Sequence, residues 1–236
     1  MSAPDLSGKT ALVTGASRGI GRSIALALAK AGAQVLAVAR TPGALEELDD
    51  EIRGFGGKAS LVPFDLTDGE GIERLAGALS ERFEALDILV LNAASIGELA
   101  PIADIDPKIW VHTLNLNVTA NWRLLRALDQ MLRKSRDARV ITLTSKVGGE
   151  EARAFWGAYA VSKAALEMLI ETHVAETKNT NIRHAIIDPG AMRTGMRKVA
   201  MPGEDPQTLP HPDEIVPTVF EAITRKEREP LKMKRR

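Results

Sequence analysis

The sequence contains no cysteine and only one tyrosine, Tyr159. The absence of cysteine excludes disulfide bonds, thiolate catalysis and cysteine-ligated metal sites, and it is compatible with a reducing compartment. The four histidines show no metal-ligand spacing, and no carboxylate cluster indicates a metal site. We therefore expect a protein without a bound metal.

Net charge and long apolar runs are also missing. Lys plus Arg and Asp plus Glu both number 31, which argues against bulk attraction to nucleic acid or to an anionic membrane. No apolar run reaches the roughly 18 residues that a membrane span requires. The first eight residues carry no apolar core of a signal peptide. We expect a cytoplasmic globular protein with neither a nucleic-acid nor a membrane partner.

Short apolar runs alternate with helical segments along the 236 residues. Such near-continuous apolar strands are typical of a parallel sheet that is covered on both faces. The predicted strands are residues 10–13, 34–39, 59–62, 88–91, 140–143 and 182–187. Capping signals indicate helix starts at residues 41–42, 67–70 and 106–107. The pattern predicts one α/β domain over residues 1–236, a Rossmann-like doubly wound parallel sheet with ligands at the carboxyl ends of its strands.

The C-terminal third departs from this alternation. Residues 191–211 form a long connection rich in Met, Pro and Gly, which predicts a lid over a substrate. After Phe220 no apolar run follows, so about six strands are expected and a seventh is in doubt. Residues 226–236 are charged and predict a solvated tail rather than a binding patch.

A glycine-rich turn follows the first strand. Residues 14–21 read Thr-Gly-Ala-Ser-Arg-Gly-Ile-Gly and lead into an Ala/Leu-rich segment. Glycines at such a turn allow the backbone to approach a pyrophosphate that sits on the helix N-terminus. The sequence therefore predicts a dinucleotide-binding turn, with the spacing Gly-x-x-x-Gly-x-Gly.

The single tyrosine is followed four residues later by Lys163. On a helix this separation places both side chains on one face, about 5–6 Å apart at Cβ. A nearby ammonium favours tyrosinate, so the pKa of Tyr159 should fall below its usual value of about 10. The pair is interpreted as a general acid/base. The alternative is that the spacing arises by chance on an amphipathic helix.

The glycine turn together with Tyr159 and Lys163 resembles the short-chain dehydrogenase/reductase family, over about residues 6–225. The resemblance implies a nicotinamide cofactor, and Ala94 stands where the family has glycine. The implied cofactor-binding residues are Gly15, Ser17, Arg18, Gly19, Ile20, Gly21, Asp65, Leu66, Asn92, Ala93, Ala94, Tyr159, Lys163, Pro189, Gly190 and Thr194.

The resemblance also implies a catalytic set. Ser145 follows the fifth strand, fourteen residues before Tyr159, and would hold the substrate carbonyl oxygen. Tyr159 would transfer the proton, and Lys163 would lower its pKa and hold the nicotinamide ribose. The family's asparagine lies in the fourth helix, where spacing favours Asn117 over Asn115, and it would anchor a water. The alternative for Asn115 is a surface or packing amide.

Cofactor choice is indicated at the end of the second strand. No acidic residue stands there to bind a ribose 2′-hydroxyl. Arg40 and Arg18 are placed to flank a 2′-phosphate instead, which favours NADP(H) and leaves NAD(H) as the alternative. Arg40 could equally be a solvated residue at a strand end.

The leading hypothesis is an oxidoreductase that transfers hydride between NADP(H) and a small carbonyl or alcohol substrate. A catalytically silent, nucleotide-sensing regulator of the same fold is the alternative. A sugar-nucleotide epimerase normally needs a larger C-terminal domain than this chain has. Apolar residues in and near the predicted lid suggest an apolar pocket, although methionines in a loop as often serve packing. They are Trp156, Met192, Met196, Val199 and Met201.

The fifth helix carries more apolar residues than one sheet-facing stripe needs. They include Ala164, Ala165, Leu166, Met168 and Leu169. With a seventh strand in doubt, strand-edge pairing between subunits should be weak. We expect a homodimer through the fourth and fifth helices, in two-fold symmetry.

Overall fold

One parallel sheet runs through the chain. The computed structural model describes residues 3–227 and 231–234. Within them, seven parallel strands pair in the order β3-β2-β1-β4-β5-β6-β7. They are β1 (Thr10–Thr14), β2 (Gln34–Ala39), β3 (Lys58–Pro63), β4 (Ile88–Leu91), β5 (Ala138–Leu143), β6 (Ile182–Asp188) and β7 (Leu231–Lys234). The order reverses between β1 and β4, which opens a crevice at their carboxyl ends.

The six apolar runs all form strands, so the prediction of a doubly wound parallel sheet is confirmed. Every residue of β4 and β5 is buried, as is expected for central strands covered on both faces.

A seventh strand is present, and the prediction of a solvated tail is wrong for residues 231–234. This segment pairs in parallel with β6, with Ile186 opposite Lys232 and Asp188 opposite Lys234. An edge strand is held by backbone hydrogen bonds on one side and does not need an apolar run. Its lysines bind glutamates of the same chain, Lys232 contacting Glu171 at 2.7 Å and Lys234 contacting Glu150 at 2.8 Å. The rest of the predicted tail from 228 on, residues 228–230 and 235–236, lies outside the described residues.

Helices cover both faces of the sheet. They are α1 (Gly19–Lys30), α2 (Pro42–Gly54), α3 (Gly69–Arg82), α4 (Pro107–Leu114), α5 (Ala120–Lys134), α6 (Lys146–Gly149), α7 (Gly157–Thr177), α8 (Gly195–Ala200) and α9 (Val216–Thr224). One apolar core lies between the sheet and α1, α2 and α9, and a second lies between the sheet and α3, α5 and α7. In the described part of the chain, no helix has the length and apolarity to cross a membrane.

Helix starts follow the capping signals with one exception. α2 begins at Pro42 and α4 at Pro107, as predicted. At α3 the cap is Asp68, whose carboxylate accepts a hydrogen bond of 2.9 Å from the Gly71 amide. The capping signal at residues 67–70 predicts a capping box with Thr67 as the N-cap, and this prediction is wrong. Thr67 instead donates to Asp65, and the helix starts one residue later.

The predicted fourth helix is divided by one π-helical turn, Asn115–Thr119, between α4 and α5. Such turns insert a residue and are frequent at functional sites. Residues 191–211, predicted as a lid, contain α8 and a short 3₁₀ turn, Pro206–Thr208. Two hydrogen bonds of 2.6 and 2.7 Å from Arg197 to Glu204 close this segment on itself.

Candidate active site

Ser145, Tyr159 and Lys163 come together where β5 ends and α7 begins. Tyr159 and Lys163 are buried, with 7% and 3% of their surface exposed. The Lys163 Nζ atom lies 5.7 Å from the centre of the Tyr159 ring and donates a 2.8 Å hydrogen bond to the Leu143 carbonyl. The Ser145 side chain lies beside the Tyr159 hydroxyl, and its hydrogen-bonding influence lowers the pKa of that hydroxyl. The arrangement joins a hydroxyl donor, a phenol and an ammonium in one buried cluster.

Burial acts on both titrating groups of this cluster. It raises the pKa of Tyr159 to about 12, and the hydrogen bond with Ser145 acts in the opposite direction. Burial lowers the pKa of Lys163 to about 8, against the carboxylates of Glu167 and Asp188, which raise it. The predicted lowering of the Tyr159 pKa is therefore wrong for this structure. The reason is that desolvation of the phenolate dominates, while the lysine ammonium is bonded to a carbonyl.

Asn117 lies in the π-helical turn and is fully buried. Its side chain accepts a 2.8 Å hydrogen bond from the Ser95 amide and donates to the Ser95 carbonyl at 2.8 Å. It also donates to the Ser162 hydroxyl at 2.9 Å. This hydroxyl in turn donates to the Tyr159 carbonyl at 2.7 Å, so Asn117 is tied to the helix turn that carries Tyr159 and Lys163.

Asn115 points elsewhere. Its amide approaches the Thr67 carbonyl at 3.5 Å and lines a surface cavity of about 540 Å³ beside α4. Of the two candidates, only Asn117 is bonded to α7 in the structure. Ser95 and Ser162 were not identified from the sequence, although Ser162 stands inside the Tyr-Ala-Val-Ser-Lys segment.

The glycine turn leads directly into α1. Gly15 and Gly19 adopt φ angles of +68° and +55°, which favour glycine. A Cβ atom on Gly21 would lie 2.2 Å from the Gly15 carbonyl oxygen, so the turn can close only around glycine. Ser17 and Ile20 are half-buried in this turn, while Arg18 is exposed immediately before the helix.

Thr14 joins the glycine turn to the end of β4, a role that was not identified from the sequence. Its hydroxyl donates to the Val90 carbonyl at 3.0 Å and accepts from the Asn92 amide at 2.9 Å and the Ala93 amide at 3.1 Å. The Asn92 side chain donates back to the Thr14 carbonyl at 2.9 Å. Half-buried Ala94 follows, so the predicted residues 92–94 lie beside the glycine turn.

The ends of β2 and β3 also face this crevice. Arg40 is exposed at the end of β2, and Asp65 is exposed after β3, next to the buried Leu66. Burial raises the pKa of Asp65, but hydrogen bonds from Thr67 and the positive charge of Arg40 outweigh it and lower the pKa. Arg40 and Asp65 therefore lie close enough to interact.

Pro189, Gly190 and Thr194 follow β6. The Gly190 amide donates a 2.9 Å hydrogen bond to Asp188, with a φ angle of +67°. Thr194 starts α8, and its hydroxyl accepts from the Arg197 amide at 3.2 Å. A Cβ atom on Gly19 would lie 3.4 Å from the Thr194 methyl, so this loop reaches the glycine turn.

Apolar side chains surround the Tyr159 ring. Ile96, Val147 and Ala200 form a buried cluster with it, and the Trp156 ring packs edge-on at 5.8 Å between centroids. Met196 and Met201, from the predicted lid, pack against this cluster. Met192 does not, because it is buried in the core under α1.

Two apolar residues beside this cluster remain exposed, Phe155 at 58% and Val199 at 65%. Phe155 has a φ angle of +71°, a strained conformation that no other non-glycine residue of the described chain adopts. Residues 3–227 and 231–234 contain no group of three or more His, Asp or Glu side chains that could hold a metal ion.

Comparison with known proteins agrees with this geometry. The chain matches the short chain dehydrogenase family over residues 9–205. It is 35% identical over 215 residues to the uncharacterized oxidoreductase YciK of Escherichia coli, covering 90% of this chain and 84% of that protein.

Two solved structures are similar over nearly the whole chain. A short chain dehydrogenase from Salmonella enterica serovar Typhi has a TM-score of 0.93 and 34% identity, covering 99% of this chain and 97% of the other. A structure from Shigella flexneri complexed with NADP has a TM-score of 0.92 and 31% identity, covering 99% of each chain. The protein described here belongs to the short-chain dehydrogenase family.

Proposed function

We propose that this protein is an NADP(H)-dependent oxidoreductase that interconverts a small carbonyl compound and the corresponding alcohol. The observation that carries the proposal is the cluster in which the Nζ atom of buried Lys163 lies 5.7 Å from the ring of buried Tyr159, with the Ser145 side chain beside the tyrosine hydroxyl. It places a proton donor, a second hydroxyl donor and a cation where one carbonyl oxygen could meet both hydroxyls.

The crevice at the carboxyl ends of β1 and β4 fits a dinucleotide. The turn from Gly15 to Gly21 has no room for a Cβ atom where Gly21 packs against the Gly15 carbonyl. It presents backbone amides at the start of α1. The loops carrying Asn92 and Thr194 lie against it, and Asp65 stands at the end of β3. These residues would hold the cofactor along its length, with Tyr159 and Lys163 at its nicotinamide end.

The phosphorylated cofactor is favoured by two cations. Arg18 and Arg40 are exposed at this edge, and the positive charge of Arg40 acts on the Asp65 carboxylate. A 2′-phosphate would find two guanidinium partners there, whereas no carboxylate stands at the end of β2 to accept from a 2′-hydroxyl. The NADP complex of the similar Shigella flexneri structure supports this choice.

The nicotinamide, when bound, supplies or accepts the hydride. Tyr159 would donate its hydroxyl proton to the carbonyl oxygen during reduction and take it back during alcohol oxidation. Because burial raises the Tyr159 pKa to about 12, the phenol carries its proton at neutral pH, the form that reduction requires. Ser145 would hydrogen-bond the same oxygen, and Lys163 would supply positive charge beneath the developing anion.

The surroundings of Tyr159 favour a substrate with an apolar group beside its carbonyl. Trp156, Met196 and Met201 line the cluster around the ring, and Phe155 and Val199 stay exposed next to it. We propose that residues 191–211 act as the lid over this substrate, since α8 carries Met196 and Val199.

Kinetics with both reduced cofactors tests the proposal. The protein is mixed with NADPH or NADH and a panel of aldehydes and ketones bearing alkyl or aryl groups, and nucleotide oxidation is followed. We expect turnover with NADPH at a higher kcat/KM than with NADH. Tight NADPH binding with no turnover on any substrate would contradict the proposal and favour a nucleotide-sensing regulator.

We further propose that the protein is a homodimer through the faces of α4, α5 and α7. On α7, Val161 and Met168 are 45% and 62% exposed, and Ala164 between them is also exposed. Their spacing places them on one helix face. α5 adds Trp122, which is 45% exposed. Exposed apolar stripes with an aromatic anchor are typical of subunit interfaces.

A further inference from the structure

Three successive residues at the end of β5 each face a side chain of α7, and the first two are hydrogen-bonded to it. The pairs are Leu143 with Lys163, Thr144 with Glu167, and Ser145 with Tyr159. The three residues of α7 follow one another at intervals of four, so they lie along one face of the helix. Two of the three pairs belong to the catalytic cluster, and Glu167 forms the third.

Glu167 is a buried acid, with only 9% of its surface exposed. Its Oε1 atom accepts a hydrogen bond of 2.5 Å from the Thr144 hydroxyl, and Thr144 directly precedes Ser145. A Cβ atom on Gly149 would lie 2.3 Å from the same oxygen, so the loop after Ser145 makes room for this carboxylate. A buried carboxylate is costly to desolvate, and its retention here needs specific partners.

The second oxygen of Glu167 is held by the edge strand. Lys232 of β7 lies 3.2 Å from Oε2 and 2.7 Å from Glu171, one turn further along α7. Glu167 is thus fixed from two sides, by β5 through Thr144 and by β7 through Lys232. Its position one turn after Lys163 brings a negative charge next to the buried ammonium.

We propose that Glu167 is a positioning residue for the reaction, holding Ser145 in register with α7 and placing its carboxylate one helical turn from Lys163. This inference rests on the proposed oxidoreductase function. The hydrogen bond to Thr144 fixes the strand end, and the carboxylate charge acts on Lys163. The two effects can be separated, because one depends on a hydrogen bond and the other on a charge.

The charges facing Lys163 decide the sign of the second effect. Burial lowers the pKa of Lys163 to about 8, whereas Glu167 on the same helix and Asp188 from β6 raise it. Tyr159 faces Lys163 from the same helix as a neutral phenol near pH 8, and Lys232 from β7 lies 3.2 Å from the Glu167 carboxylate. Removing the charge of Glu167 therefore lets the Lys163 pKa fall further, and the alkaline loss of activity begins at lower pH.

Two variants and one control separate the effects. Glu167→Gln keeps a hydrogen-bond acceptor for Thr144 but removes the charge, and Thr144→Val removes the bond but keeps the charge. Glu171→Gln is the matched control, because it sits on the same helix and shares Lys232 but does not bond Thr144. The pH profile of kcat/KM with NADPH is measured for the parent protein, the two variants and the control. The titration of the Lys163 ammonium is followed by NMR, and its signal is assigned by its absence from a Lys163→Arg sample.

We expect Glu167→Gln to move both the alkaline limb and the Lys163 titration to lower pH. Thr144→Val should leave the limb in place but lower kcat, by up to about 100-fold if Ser145 is displaced by 1 Å. Glu171→Gln should match the parent protein. If the folded Glu167→Gln variant showed the same alkaline limb of the pH profile and the same Lys163 titration as the parent, the inference would be overturned. If the parent protein turned over no substrate, the proposed function would fail, while the NMR titration would still test Glu167.

Discussion

The protonation of the two buried residues, Tyr159 and Lys163, determines which proton the proposed reaction can use. Burial disfavours both tyrosinate and ammonium, raising one pKa to about 12 and lowering the other to about 8. Near pH 7 the phenol is neutral and the lysine is mainly charged. That combination donates a proton next to a positive charge, which suits reduction of a carbonyl.

Replacing Tyr159 by phenylalanine should abolish turnover and spare cofactor binding, because one hydroxyl is lost and the ring stays in its apolar cluster. The loss of kcat should reach at least the ~10²–10⁴-fold typical of general acid/base groups. NADPH affinity, measured by fluorescence titration, should stay within a few-fold. Near-full activity of the phenylalanine variant on a good substrate would rule out Tyr159 as the acid.

Arg40→Asp should shift preference from NADP(H) toward NAD(H). The new carboxylate would repel a 2′-phosphate and accept a hydrogen bond from a 2′-hydroxyl. The readout is the ratio of kcat/KM for the two cofactors. Arg136→Asp is the control, since this exposed arginine precedes β5 at the opposite end of the strands. If the ratio is the same in the Arg40 variant and the parent, Arg40 does not read the phosphate.

At the scale of elements, β1 to β6 could be predicted from sequence and the edge strand β7 could not. Strands buried on both faces must be apolar, so β1, β2, β4, β5 and β6 are visible as apolar runs. β3, the other edge strand, is only partly buried, but residues 59–62 were still predicted as a strand. β7 carries Lys232 and Lys234, and its stability depends on pairing with β6 and on glutamates distant in sequence. An edge strand of this kind is specified by its neighbours, which a single local segment does not show.

The candidate site shows the same division. Glycines, the Tyr-Lys pair and the strand-end serine are local patterns, and they were identified. Thr14 and Ser95 are hydrogen-bonded to residues distant in sequence, and Ser162 accepts a hydrogen bond from Asn117 in the π-helical turn, so no local pattern marks these roles. The direction of the Tyr159 pKa was mispredicted for the same reason, because the burial that raises it comes from residues far apart in the chain.

The start of α1 allows a sharp test of the glycine turn. Gly21→Ala should destabilise the protein by about 1–3 kcal/mol, the usual cost of overpacking, and weaken NADPH binding, because its Cβ would collide with the Gly15 carbonyl. Gly77→Ala is the control within α3, where a Cβ meets no atom within 4 Å. That change should stabilise the helix by about 0.5–1 kcal/mol. Chemical denaturation and NADPH titration measure both, and equal behaviour of the two variants would refute the packing argument.

At the scale of the whole molecule, the β7 sheet edge and the α7 helix face differ in how well they could form an interface with a second copy of the chain. The β7 edge, which the sequence left in doubt, is present, but Lys232 and Lys234 stand on it and bind glutamates of their own chain. Lysines on an edge strand oppose pairing with another sheet. The α7 face instead exposes the uncharged, apolar side chains of Val161 and Met168, and α4 packs beside it. Association should therefore use the helices.

Met168→Glu should convert the proposed dimer into a monomer, since it would bury a carboxylate in an apolar contact that two-fold symmetry repeats. Phe55→Glu is the control, because it makes the same kind of change at an exposed aromatic residue after α2, beside Lys30. Sedimentation equilibrium at micromolar concentration should give a dimer for the parent and the control, and a monomer for the Met168 variant. A tetrameric parent would show that β7 does make an interface, and a monomeric parent would show that this helix face stays open to water.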